Sequence, residues 1–235
     1  MNEVAFPFAS SLRLIIELDS NLIEIVLLSL RVSLSALLIG AVVGFPIGAL
    51  VGTSQFPGRT LVIAIANALM GLPPVVAGLL VYMLLSRAGP LGQYGILYTP
   101  TAMVIAQSLL ILPIIVALTD QTISDLHDQY QDQLESLGAN RVRIIFTLLW
   151  DARFSLLTAL LAGFGRASAE VGAVIIVGGN INHATRLMTT TIALETKKGN
   201  LDLALGLGLV LIAIIIAING LAIFLRRIAK NTGGY

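Results

Sequence analysis

Five long apolar runs, each able to cross the hydrocarbon core of a bilayer, set the terms on which this chain can fold. They extend from Leu22 to about Gly52, from Thr60 to Leu85, from Thr101 to Leu118, from Phe154 to Val177 and from Leu201 to Leu225. Lipid offers backbone N–H and C=O groups no partner, so runs of this kind must satisfy their own hydrogen bonds as helices. The fold expected is an all-α integral membrane bundle of about five transmembrane helices. Charge agrees with that expectation, since only 11% of the 235 residues are charged, against roughly 25% in a soluble domain. One domain over residues 1–235 is the economical organisation, with 1–21 as an extracytoplasmic N-terminal segment. The formal net charge of +1 supplies no basic field for nucleic acid, and the absence of cysteine removes disulfides, thiolate metal sites and cysteine nucleophiles. The opening MNEVAFPFASSLRLIIELDS lacks the basic n-region of a signal peptide, so insertion is expected to use a retained span.

Several features inside the runs bear on packing and transport. Ser20 and Asn21 stand where an N-cap belongs, with Glu24 placed to close a capping box from Asn21. Gly40, Gly44 and Gly48 recur every four residues and form a ridge that a second helix can approach closely. Pro73 and Pro74, inside GLPPVV, predict a break or bend in the second run, which either shapes packing or lines a pathway. Arg166 and Glu170 fall four residues apart in the fourth run, so on one helix they share a face and can pair. Such a pair either braces helices or, with Gly172, supports a hinge or gate beside an anion path. Arg31 is expected to be buried between helices or to snorkel outward. His127 and His183 are isolated in polar segments and expected to be solvated, and no metal site is expected.

Two polar segments carry the candidate contacts. The first, TDQTISDLHDQYQDQLESLGANRVR, contains a cytoplasmic coupling segment over residues 126–150. From Gln131 to Trp150 it is read as a short amphipathic helix, a Leu137–Ala139 turn and a basic strip bearing Arg141 and Arg143; the alternative is a solvated loop. The second runs from Gly179 to Asn200. Its Asn180, Thr185, Arg186, Thr189 and Thr190 offer donors suited to an oxyanion, or a docking surface for a binding protein, or plain loop packing. Orientation follows from basic residues near span ends. With the N-terminus outside and the C-terminus cytoplasmic, Arg59, Arg141, Arg143, Arg153, Arg226, Arg227 and Lys230 lie inside and Arg13, Arg87, Arg186, Lys197 and Lys198 outside.

The stretch from Asp132 to Asp151 resembles the cytoplasmic coupling motif of bacterial ABC importer permeases, EAA, three residues, G, nine residues, IxLP. With the motif's glycine on Gly138, its acidic residue falls on Asp132, its alanines on Gln133 and Leu134, and its IxLP on Leu148 to Asp151. Aspartate replaces glutamate, and the alanines and the final proline are absent. GRASAEVGA, from Gly165 to Ala173, is similar to a pattern in molybdate and sulfate permeases, and GGNI with TRLMTTTIALETKKGN resembles the tungstate branch.

The resemblance implies a binding-protein-dependent ABC permease fold in the cell membrane, and a pore formed with a second copy of the chain. It implies two ATPase subunits docked on Asp132, Glu135, Leu137, Gly138, Ala139, Arg141 and Arg143, and an extracytoplasmic oxyanion-binding protein. The cargo implied is tungstate, with molybdate or another oxyanion as the alternative. This chain would then be no enzyme and would bind no cofactor, ATP and magnesium belonging to the partner; it has no GxxxxGK[ST] phosphate loop. A secondary transporter or channel is the alternative from a different class. It would carry ion-coupling carboxylates in its spans, where Glu170 is the only deep acidic residue. A membrane enzyme would need a cluster of nucleophile, base or metal ligands, and none is visible in the runs.

Overall fold

The computed structural model describes residues 20–232, and all regular structure among them is helical. Helix α1 spans Ser20–Thr53, α2 Arg59–Met70 and α3 Pro74–Leu85. After a single 3-10 turn at Gly92–Tyr94 come α4 Pro100–Ser136, α5 Arg141–Asp151, α6 Arg153–Ser168, α7 Gly172–Gly178, α8 Met188–Lys198 and α9 Leu201–Thr232. Among the described residues α1, α4 and α9 are each long and apolar enough to cross a membrane, and up to five spans result if the pairs α2–α3 and α5–α6 each count as one broken span. Residues 1–19, including Arg13, and the side chains of Arg226 and Lys230 lie outside the described residues.

The helix ends have local causes. The two prolines of GLPPVV divide their work: Pro73 takes the extended conformation that a following proline imposes, and Pro74 opens α3 at the position where a missing N–H costs nothing. The second run is thus two helices. The second-run break is the one the prolines predict; the fourth run departs from expectation, because α6 stops at Ser168 and α7 starts at Gly172, so Phe154 to Val177 is not one helix. The third run departs in the other direction. Hydropathy falls after Leu118, yet α4 continues to Ser136, because from Thr119 to Ser136 the sequence holds neither glycine nor proline. The polar segment is therefore largely a helical extension of a span rather than a loop.

The chain separates into two compact units. One comprises residues 36–72 and 108–167. There the glycine ridge of α1 lies on α4: a Cβ at Gly44 would meet Ile115 Cγ2 at 2.8 Å, and one at Gly48 would meet Thr119 Cβ at 2.6 Å. Gly163 of α6 approaches Ile111 and Leu37 in the same way. Ala66 of α2 packs on Val116 and Ala117 of α4, and Ile144 and Leu148 of α5 on Ala49 and Ile123. Arg59, at the start of α2, donates from Nε to the Val51 carbonyl (2.9 Å) and from Nη2 to Ser124 Oγ (2.6 Å) and the Asp120 carboxylate (3.3 Å). Those bonds clamp the α1–α2 turn to α4.

The other unit takes in residues 20–35, 73–107 and 168–232 among those described. Helix α7 packs on α3 closely enough that a Cβ at Gly78 would lie 2.7 Å from Ala173 Cα. Leu22 and Ile25 of α1, Met188 of α8 and Leu207 of α9 form a second core. Most of α9 remains uncovered, with Ile212, Ile216, Ile223 and Phe224 exposed, as a span with lipid on several sides requires. Arg31 is exposed on α1.

Candidate coupling and gate sites

The candidate coupling segment is built around a helix stop. Helix α4 ends with Gly138 in the left-handed region (φ 67°), while Ala139 N–H donates to the Leu134 carbonyl (3.1 Å). That six-to-one bond is a Schellman cap, which a residue with a side chain forms only under strain. Asn140 then caps α5, its Oδ1 accepting from Arg143 N–H at 2.9 Å. Asp125, Asp128 and Asp132 are exposed on the last turns of α4, and Arg141 and Arg143 are exposed on the first turn of α5. Leu137, at the turn, is 81% exposed, while Ala139 and Leu134 fold back onto the α5 core. The side chain of Glu135 lies outside the described residues. The predicted residues thus share one exposed helix–turn–helix, acidic before the glycine and basic after it.

The gate candidates form a second site, differently from expectation. Arg166 occupies the last turn of α6, whereas Glu170 lies beyond its end, so helical spacing does not place the two on one face. Glu170 is 2% exposed, and its Oε1 accepts from Ala173 N–H at 2.8 Å. A carboxylate there satisfies a donor that α7 cannot, at the positive end of its dipole. The Glu170 carbonyl accepts from Thr189 Oγ1 at 2.7 Å. Gly172, at the first position of α7, faces α3: its Cβ would lie 3.0 Å from Val75 Cγ2 and 3.5 Å from Pro74 Cβ. Pro73, Pro74, Glu170 and Gly172 therefore belong to one junction where two helices begin.

The segment from Gly179 to Leu187 spends most of its polar groups on itself. Thr185 Oγ1 donates to the Gly178 carbonyl and accepts from Ile181 N–H. Thr190 Oγ1 accepts from Leu187 N–H at 2.9 Å and lies 2.9 Å from Asn180 Oδ1, and Thr191 donates to the Leu187 carbonyl. Ser29 Oγ of α1 accepts from Met188 N–H at 2.8 Å. Asn180 and His183 adopt positive φ, which these bonds hold in place. Arg186 stands apart: its buried Nε has no hydrogen-bond partner among the described residues, and its charge helps the Lys198 ammonium hold the Glu195 carboxyl below its usual range. The His183 ring is not isolated, since its Nδ1 lies 2.7 Å from Glu24 Oε2.

Sequence reading missed two features here. The Arg59–Asp120 link joins residues 61 positions apart, and nothing in either neighbourhood marks the other. The second is a recess of about 650 Å³ at the C-terminal end of α3, between Tyr82 and Tyr98, in which Arg87 is the only charged residue among those described. Tyr98 bonds to the Tyr82 hydroxyl, which together with desolvation raises its pKa above the ordinary phenol range.

Apolar helices broken by short junctions, with an exposed charged helix–turn–helix among them, are the architecture expected of a membrane-embedded transport component. Residues 44–231 match the binding-protein-dependent transport system inner membrane component family, and the chain belongs to that family. It is 38% identical over 219 residues to the tungstate uptake system permease protein TupB of Peptoclostridium acidaminophilum, covering 93% of this chain and 96% of that one. It is similar also to a probable anion ABC transporter permease protein of Haloferax volcanii (38% over 205 residues, 85% and 88% covered). The TupB protein of Campylobacter jejuni is 35% identical over 173 residues, covering 74% and 72%. The chain is therefore a permease, a pore subunit rather than an enzyme.

Proposed function

We propose that this permease forms, with a second copy of itself, the pore of an ATP-driven importer of tungstate. The observation that carries the coupling part is the exposed segment from Asp132 to Arg143, whose charges and left-handed glycine form a rigid knob for an ATPase subunit. Two such subunits, holding ATP and magnesium, would draw two knobs together on closing and switch the pore by rigid-body movement. The junction of Pro73, Pro74, Glu170 and Gly172 would serve as gate support, with Arg166 on the helix leading into it. The N-terminus is outside and the C-terminus cytoplasmic, in the cell membrane, and a binding protein delivers the anion to the outer face.

Tungstate rests on the similarity to two TupB proteins, over 93% and 74% of this chain. Of the residues expected to meet the anion or its carrier, Asn180, Thr185, Thr189 and Thr190 are engaged within the protein, so Arg186 is the group left to do so. Glu170, spent on capping α7, is poorly suited to the ion coupling of a secondary transporter. The test is reconstitution of the chain with its ATPase and binding protein in liposomes. ATP-dependent tungstate accumulation that vanishes without the ATPase is expected, and accumulation that persists without it refutes the proposal.

A further inference from the structure

We propose that the cleft between α5 and the first turns of α6 binds an anionic phospholipid, with one acyl chain in the cleft and the phosphate on Arg153. The cleft has a volume of about 350 Å³, at the lower end of the roughly 300–1,000 Å³ usual for ligand pockets. Phe45, Phe146, Trp150, Leu156 and Leu160 wall it, and Arg153 is the only charged lining residue among those described.

Helix α5 carries more apolar surface than its core uses. Ile144 and Leu148 are buried, but Val142, Phe146 and Trp150, four residues apart on another face, are 62%, 68% and 72% exposed. A surface helix needs one apolar face for the core, and a second implies another apolar neighbour. Depth identifies that neighbour. Leu160 lies seven residues beyond Arg153, about 10 Å along α6, within the helix pair long and apolar enough to serve as a span. An acyl chain lying along that helix pair can touch Leu160 and Trp150 together, as one continuous apolar wall allows.

The headgroup follows from charge. The Arg153 guanidinium carbon lies 5.1 Å from the Trp150 ring centroid and 4.7 Å from that of Phe154, and its Nη1 donates to the Trp150 carbonyl at 2.7 Å. The rings and the bond hold the guanidinium at the mouth of the cleft, and among the described residues it pairs with no carboxylate. A phosphate takes such N–H groups in pairs. Tryptophan is also enriched at the membrane–water boundary.

The test uses the single tryptophan of the chain. In the purified full-length protein in lipid nanodiscs, Trp150 fluorescence reports on this cleft alone, independently of any transport activity. Phosphatidylglycerol or phosphatidylcholine, brominated on the acyl chains, is titrated in. Both are expected to quench, phosphatidylglycerol at about five-fold lower mole fraction, the preference that one cation near an anionic lipid confers. Arg153→Gln should abolish the preference and leave the quenching, while Arg153→Lys keeps part of the preference. Equal quenching by the two lipids in the unaltered protein overturns the proposal. Efficient quenching of Trp150 by aqueous iodide with none by brominated lipid also overturns it, and marks a face kept for a partner in water. If Arg153→Gln does not fold, raised salt on the unaltered protein makes the same decision, because screening must erase the preference.

Discussion

Replacing the glycines of α1 by alanine, one at a time, tests whether close approach to α4 holds the first unit together. Alanine gains about 1 kcal/mol over glycine in a helix interior, so any loss must come from collision. At Gly40 the new methyl meets the flexible Ile115 Cδ1 end at 3.0 Å and Ile111 Cγ2 at 3.1 Å, contacts that a shift of a few tenths of an ångström relieves. At Gly44 it meets Ile115 Cγ2 at 2.8 Å and Cβ at 3.1 Å, so the side chain must turn as a whole. At Gly48 it meets Thr119 Cβ at 2.6 Å and the Val116 carbonyl oxygen at 2.7 Å, and neither moves unless the α4 backbone moves. Overpacking costs about 1–3 kcal/mol or more. The net effect should therefore run from near zero for Gly40→Ala to a loss of about 2 kcal/mol for Gly48→Ala. Gly220→Ala is the control, because nothing lies within 4 Å of its Cβ position. Thermal unfolding in detergent, monitored by size-exclusion, reads the series, and a loss of that size lowers Tm by about 2–4 °C per kcal/mol in a protein of this length. If Gly48→Ala proves as stable as Gly220→Ala, the account of the ridge is wrong.

Other outcomes follow from the clamp, the caps and one carboxylate. Asp120→Ala and Arg59→Gln should each lose about 1–3 kcal/mol, less than a fully buried pair because Arg59 is 31% exposed, and a double-mutant cycle should show them coupled. Gly138→Ala must adopt φ near 67°, at a cost of about 1–2 kcal/mol; uptake should fall more than ATP hydrolysis does, with Gly138→Asn milder in a liposome assay measuring both. Glu170→Ala should cost about 1 kcal/mol in thermal stability through the lost α7 cap, and Glu170→Gln less. The Glu195 carboxyl is held below its ordinary 4.5 chiefly by Lys198, so its contribution is fully present above pH 4.5 and lost as pH falls through the lowered value. Lys198→Met should flatten that part of a Tm-against-pH curve.

How much of this was legible in the sequence depended on whether the cause was local. The glycine ridge, the proline break and the turn at Gly138 were readable because spacing and backbone restriction act within a few residues. The end of α4 was misread because hydropathy marks where lipid stops, and a helix stops only where its own bonds fail, here at Gly138. The break at Glu170 carries no proline; a local cap on Ala173 and a longer-range bond from Thr189 hold it. For the threonines after Gly179 the sequence left ligand, docking surface and loop packing open, because a hydroxyl's chemistry is visible in sequence and its partner is not.

Those threonines have a kinetic consequence. With Thr185, Thr189, Thr190 and Thr191 each bonded within the protein, the segment after α7 has already lost its conformational freedom. A partner that docked there would meet a preorganised target and need not wait for a loop to order. Its association should run at the roughly 10⁵–10⁷ M⁻¹s⁻¹ set by diffusion and orientation, leaving complex lifetime as the variable through which affinity is tuned.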